Sequence, residues 1–197
     1  MVITSAERAR DLRQKPVTIK AGSQGISHGQ QSMTSFYRDD ITGLPEMGVV
    51  ARELYRQSGL GPEAFQTAVI YDHFTPFVLP QLEEFGFVKR GEAKEFIRAG
   101  HHARGGKLPI NTHGGQLGEA YIHGMNGVAE AVRQVRGTAV NQVGGVENVL
   151  VTAGTLEEKA NALVDAANYG GGRDNISVIL AAARSKPARK GLFSRML

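Results

Sequence analysis

Cysteine is absent from the 197-residue chain. That single absence excludes disulfides, thiolate nucleophiles and thiolate metal ligands. Long hydrophobic runs are missing too, and the apolar stretch that ends at Ala181–Ala183 is far too short to cross a bilayer. The first residues lead into Glu7, Arg8, Arg10 and Asp11 rather than an apolar core, so a signal peptide is not expected. A cytoplasmic location without membrane insertion follows. Basic residues outnumber acidic ones by 23 to 19, giving a net charge of +4, but the excess sits mainly at the two ends. No aromatics are interleaved with it as a base-stacking surface requires, so no nucleic-acid partner is expected. A basic terminus suits the phosphates of a nucleotide-bearing substrate equally well. Internal repeats and low-complexity segments are also lacking.

What is present fits one domain or slightly more. A hydrophobic content of 41% with 21% charge supports a real core. Residues 16–21 (PVTIKA) alternate as a strand. Residues 47–57 are helical, with Val50, Leu54 and Tyr55 on one side and Gly59 as the stop. Residues 67–71 (TAVIY) read as a buried strand, and Pro76 opens a helix that runs to Phe85 and is capped by Gly86. Val128, Ala131, Val132 and Val135 follow helical spacing between an Asn126 cap and Gly137. Residues 148–152 (NVLVT) form another buried strand. Strands alternating with helices predict an α/β layered domain.

Chemistry concentrates where strands give way to helices. Residues 108–127, LPINTHGGQLGEAYIHGMNG, hold five glycines, two histidines, two asparagines and a tyrosine. Glycine at that density lets backbone approach a ligand or other backbone closely. A tight turn entering a helix explains the same composition without any chemistry. A second polar junction, Tyr71-Asp72-His73-Phe74-Thr75, follows the strand at 67–71. Ligands in open α/β sheets bind beyond the carboxyl ends of strands, which suits both junctions. Their tyrosines lie 50 residues apart, at 71 and 121.

The pairing of YDHFTPFVLPQLEEFGF with INTHGGQLGEAYIHGMNGVAEAVRQVRG resembles the C-terminal half of the thiolase superfamily, in its lipid-transfer or sterol-carrier branch. Within that branch it is most similar to aldolases that shorten steroid side chains held as coenzyme A thioesters. The resemblance covers residues 1–154. It implies an α/β, thiolase-like C-terminal layered domain with a mixed sheet and packed helices. Thiolases place an Asn in the first block and a His in the second; here Tyr71 and Tyr121 stand at those positions. The stretch Val149–Gly154 holds no counterpart of the thiolase C-terminal cysteine, so thiolytic Claisen chemistry is excluded.

A retro-aldol cleavage needs a base for a β-hydroxyl proton, a stabiliser for the thioester enolate and an acid for its α-carbon. The resemblance implies Tyr71 and Tyr121 as the acid/base pair, while capping of buried polar groups is the ordinary role of such phenols. A phenol of pKa about 10 needs help as a base, and His73, His113 and His123 are available. Gly114 and Gly115 offer backbone amides to the thioester oxygen, and Asn111 and Asn126 complete the expected substrate contacts. No cofactor is expected beyond the coenzyme A carried by the substrate. Relatives imply a homodimer and a small OB-fold partner. The alternative is a non-catalytic acyl-CoA or lipid-binding module, or an inactive truncated fragment.

The end of the chain departs from that family. Residues 155–183 read as a helix, a Gly-Gly-Arg-Asp-Asn motif and a strand over 175–180, an appendage similar to the C-terminus of PP2C-type phosphatases. There Asp174 would bind a metal ion. The other carboxylates such a site needs are missing, so no metal is expected. Residues 184–197 form a basic, disordered terminus. The resemblance also implies a preceding thiolase half. Truncation or fusion of the reading frame, an artificial sequence, and a partner carrying that half each account for the arrangement.

Overall fold

The computed structural model describes residues 3–25, 27, 38–120, 122, 124–153 and 182–184. Tyr121, His123 and Asp174 lie outside the described residues, as do the helix and strand expected between 155 and 180.

A four-stranded mixed sheet forms the centre. Its strands are β1 (Val17–Ile19), β2 (Thr67–Val69), β3 (Asn148–Val151) and β4 (Ala182–Arg184), in the order β1-β4-β3-β2. β2 and β3 run parallel, with Thr67 opposite Val149 and Val69 opposite Val151. β4 is antiparallel to both of its neighbours, with Ala183 opposite Thr18 and Asn148. Arg184, assigned by the sequence to the basic terminus, is therefore the last residue of a strand.

Side-chain alternation explains why the runs are apolar over residues 68–70 and 149–151. Ala68, Ile70 and Leu150 face one layer, packed with Val50, Leu54, Leu82 and Phe85. Val69, Val149 and Val151 face the other, packed with Val128, Ala131 and Val135. A sheet covered on both faces leaves no polar side to its strands. The first layer consists of α2 (Pro45–Ser58), α3 (Val78–Glu84) and the short α4 (Ala93–Arg98); the second is α6 (Met125–Arg136). Two small helices complete the set: α1 (Ala6–Ala9), capped by Ser5 Oγ accepting from Arg8 N, and α5 (Gly115–Gly118).

Helix C-termini follow the sequence closely, while the starts differ: α2 begins at Pro45, and Pro76 lies in a 3-10 turn, Thr75–Phe77, that leads into α3 at Val78. Gly59 and Gly137 adopt the left-handed conformation that terminates α2 and α6. Asn126, however, does not cap α6. The helix begins two residues earlier than that cap implies, at Met125, after Gly124 at φ 86°, and Asn126 sits inside its first turn, 2% exposed. An Asn side chain caps from non-helical backbone, and here left-handed Gly124 occupies that position. α4 and the 3-10 turn at Pro62–Ala64 have no counterpart in the sequence reading.

Candidate functional site

The site lies where β2 and the glycine-rich segment meet at the sheet's carboxyl end. Tyr71 lies two residues beyond the end of β2 and is 2% exposed. Its backbone is fixed on both sides: its N–H donates to Thr152 Oγ1 at 2.7 Å, and its carbonyl accepts from Gln81 Nε2 at 2.8 Å. Thr152 Oγ1 in turn donates to Gln81 Oε1 at 2.7 Å, closing a buried polar network that couples β3, α3 and the tyrosine. The ring of Tyr71 passes close to Gly124, where an added Cβ would meet Tyr71 Cε2 at 3.9 Å and Ala153 Cβ at 3.3 Å.

His73 lies against Tyr71, with ring centroids 4.8 Å apart, and stacks on Phe77 at 5.3 Å. Burial holds its pKa below the ordinary value of 6.5, against the opposing pull of Asp72. The ring is therefore neutral near pH 7. Its Nδ1 is buried without a hydrogen-bond partner.

Asp72 was not among the residues picked from the sequence, yet it organises the loop. Its Oδ1 accepts from the backbone N–H of Gln116 at 2.8 Å. A Cβ at Gly115, whose φ is 76°, would collide with Asp72 Oδ2. Gly115 is thus required by a carboxylate seated against the backbone, and Gly114 by its own left-handed φ of 97°. The signal available was an acidic residue beside Tyr71 together with the glycine pair; nothing in the sequence joined them across 43 positions.

His113 is half-buried, and neither ring nitrogen has a partner. Burial lowers its pKa, with Glu130, Glu119 and Asp72 opposing. Gln116 is fully buried, and both of its amide atoms lack partners; Asn126 Oδ1 is in the same condition. Unpartnered polar atoms in an interior cost about 1–3 kcal/mol each. Of these residues with unpartnered atoms, His73 touches the Tyr71 ring and Gln116 is tied through its backbone to neighbouring Asp72.

Asn111 and Asn126 are both tied into the scaffold. Asn111 Oδ1 accepts from Ile70 N at 2.8 Å, while its Nδ2 donates to Ile70 O at 2.9 Å. Asn126 Nδ2 donates to Glu119 O at 3.1 Å. Gly114 N–H donates to Asn111 O at 2.9 Å, so one of the two expected glycine amides already has an acceptor. The structure thus brings together Tyr71, His73 and, through Asp72, the segment with Gly115 and His113. Exposed apolar residues rim this region: Phe74, Leu117 and Ile122 are 49%, 89% and 53% exposed. No three His, Asp or Glu side chains among the described residues are grouped to hold a metal. No helix among them is long and apolar enough to cross a membrane.

The model of the thiolase C-terminal domain-like family matches residues 25–165. The chain belongs to that family. Two curated relatives match this thiolase-like chain over 155 residues, 79% of its length. The 17-hydroxy-3-oxo-4-pregnene-20-carboxyl-CoA lyase of Mycobacterium tuberculosis is 67% identical, and the steroid side-chain-cleaving aldolase of Thermomonospora curvata is 64% identical. The chain spans 40% of the length of each. A solved Ltp2-ChsH2(DUF35) aldolase superposes with a TM-score of 0.78 at 55% identity, over 92% of this chain and 43% of that one. A monomeric SCP2-thiolase like protein from Mycobacterium smegmatis shares the fold at a TM-score of 0.54 and 20% identity. The thiolase-like α/β layered domain expected from the two sequence blocks is thereby borne out.

Proposed function

We propose that this thiolase-like domain is the C-terminal part of a retro-aldolase that cleaves a β-hydroxyacyl-CoA. Its substrate would be a steroid side-chain thioester of the kind named for the Mycobacterium tuberculosis relative. One observation carries the reading: 67% identity to that lyase over 155 residues. The site supports it, because the chain has no cysteine while His73, with an unpartnered buried Nδ1, lies against Tyr71.

In this reaction a base removes the β-hydroxyl proton, and that oxygen becomes a carbonyl as the Cα–Cβ bond breaks. The bonding pair enters the thioester as an enolate, and an acid then protonates the α-carbon. Tyr71 and Tyr121 are the proposed acid/base pair. Neutral His73, in ring contact with Tyr71, is the relay, since an unprotonated imidazole nitrogen accepts a proton from a phenol. The Gly115 amide is the candidate donor to the thioester oxygen, because the flanking amides of Gly114 and Gln116 already have acceptors. Coenzyme A arrives with the substrate and no further cofactor is invoked. A small OB-fold partner, consistent with the two-component aldolase of similar fold, together with a homodimer and a cytoplasmic location, completes the proposal.

The test supplies the preceding thiolase half and the OB-fold partner, adds the 17-hydroxy steroid thioester, and follows shortened acyl-CoA by mass spectrometry. Cleavage should occur and should collapse in Tyr71→Phe and in Tyr121→Phe. Unchanged turnover in both variants refutes the assignment. Tight thioester binding with no cleavage transfers the domain to the acyl-CoA-binding class.

A further inference from the structure

One turn of α6 grips the glycine-rich segment at both of its ends. At the first end, Thr112 Oγ1 donates to Glu130 Oε1 at 2.6 Å, and Gln134 Nε2 adds contacts to both, 3.0 Å to Thr112 Oγ1 and 2.9 Å to Glu130 Oε1. At the second end, Arg133 extends both guanidinium prongs to the Glu119 carboxylate, at 2.8 and 3.4 Å. The two grips are joined, because Arg133 also donates to Glu130 Oε2 at 3.2 Å. Glu130 and Gln134 are 2% and 1% exposed, so the first grip is set in the interior, while the Arg133 and Glu119 side chains of the second are 37% and 34% exposed.

Immediately outside each grip lies a non-glycine residue with positive φ. Asn111, at 50°, precedes Thr112; Ala120, at 36°, follows Glu119. Asparagine tolerates that region, whereas for alanine it is costly and persists only where the surroundings over-determine it. The surroundings of Ala120 do so. Its preceding residue is held through the side chain by Arg133 and through the carbonyl by Asn126 Nδ2. The residue after Ala120 is Tyr121.

We propose that Arg133 is a positioning residue. With Glu130 it clasps the segment from Thr112 to Glu119 and holds the strained Ala120 link that leads directly into Tyr121 in the chain. The proposal rests on the retro-aldolase reading of Tyr121. Glu119 has no role in bond breaking here; it is the handle by which α6 holds the link that precedes the tyrosine. Displacement of a reacting group by about 1 Å lowers turnover as much as a hundredfold without a matching loss of binding.

The experiment uses the full chain with its thiolase half and partner, and compares Arg133→Met, Arg133→Lys and Glu119→Gln with the parent protein. Hydrogen exchange across residues 112–120 is read alongside kcat and KM. Arg133→Met should speed exchange in that segment and lower kcat at least about tenfold, with KM within about twofold. Arg133→Lys keeps the charge but loses the two-pronged fork, and should recover part of kcat. Glu119→Gln, which keeps the size and removes the charge, should follow Arg133→Met and guards against a variant that fails to fold. Faster exchange with unchanged kcat overturns the proposal, as does unchanged exchange. A parent protein that does not cleave the thioester refutes the retro-aldolase reading, while the exchange response still reports whether the clasp exists.

Discussion

Gly115→Ala strikes the point where backbone and carboxylate meet, and its cost follows from two terms. The native φ of 76° lies in the left-handed region, where a Cβ costs about 1–2 kcal/mol. The new methyl also overlaps Asp72 Oδ2, so the carboxylate must leave, and its 2.8 Å bond from Gln116 N goes with it. A hydrogen bond to a charged group contributes about 1.5–3 kcal/mol. The sum, about 2.5–5 kcal/mol, lowers Tm by roughly 5–20 °C at this chain length. Differential scanning calorimetry of the parent, Gly115→Ala, Asp72→Ala and the double variant checks both terms. Removing Asp72 relieves the collision, so the double variant should be no less stable than Gly115→Ala alone, a clear departure from additivity. A drop below about 3 °C in Gly115→Ala, or additive losses in the double variant, would show that Asp72 does not hold this loop.

Three further outcomes are expected. His73 and His113 both have pKa values lowered by burial, so the unfolded chain binds more protons between the folded value and 6.5. Thermal stability should therefore fall as pH drops below 6.5, and His73→Gln should flatten the trend; an unchanged slope would argue against a desolvated ring. Tyr55 donates to the Phe85 carbonyl at 2.6 Å, so Tyr55→Phe should cost about 1–2 kcal/mol by urea titration, with a null result meaning that water replaces the bond. Ala120→Gly removes the penalty of a φ of 36°, so the protein should melt no lower than the parent while kcat falls, and retained kcat would separate the strained link from catalysis.

Much of the layered fold was legible because burial on two sides writes a strand as an unbroken apolar run. TAVIY and NVLVT could be read as buried strands for that reason, and Val128, Ala131 and Val135 gave α6 its face. Gly59 and Gly137 marked helix ends since only glycine enters the left-handed region freely. α4 escaped notice because six residues hold less than two turns of periodicity. The cap of α6 was misplaced since Asn126 looks like a cap wherever it stands, and only backbone conformation reveals that Gly124 holds the position. At the site, residue types pointed to Tyr71 and His73, but Asp72 and Arg133 act through contacts at long sequence separation. Such contacts leave no local trace.

The pairing of Asn111 with Ile70 reaches beyond the site. Ala68 N–H donates to Pro109 O, Asn111 N–H donates to Ala68 O, and the Asn111 amide then serves both backbone groups of Ile70. A side chain here finishes a row that backbone began, and the outer margin of β2 is left with no open rungs from Ala68 to Ile70. A second molecule therefore finds nothing there to zip onto. Among the described strands, the margin left for continuing the sheet from one copy into another is the opposite one, at β1.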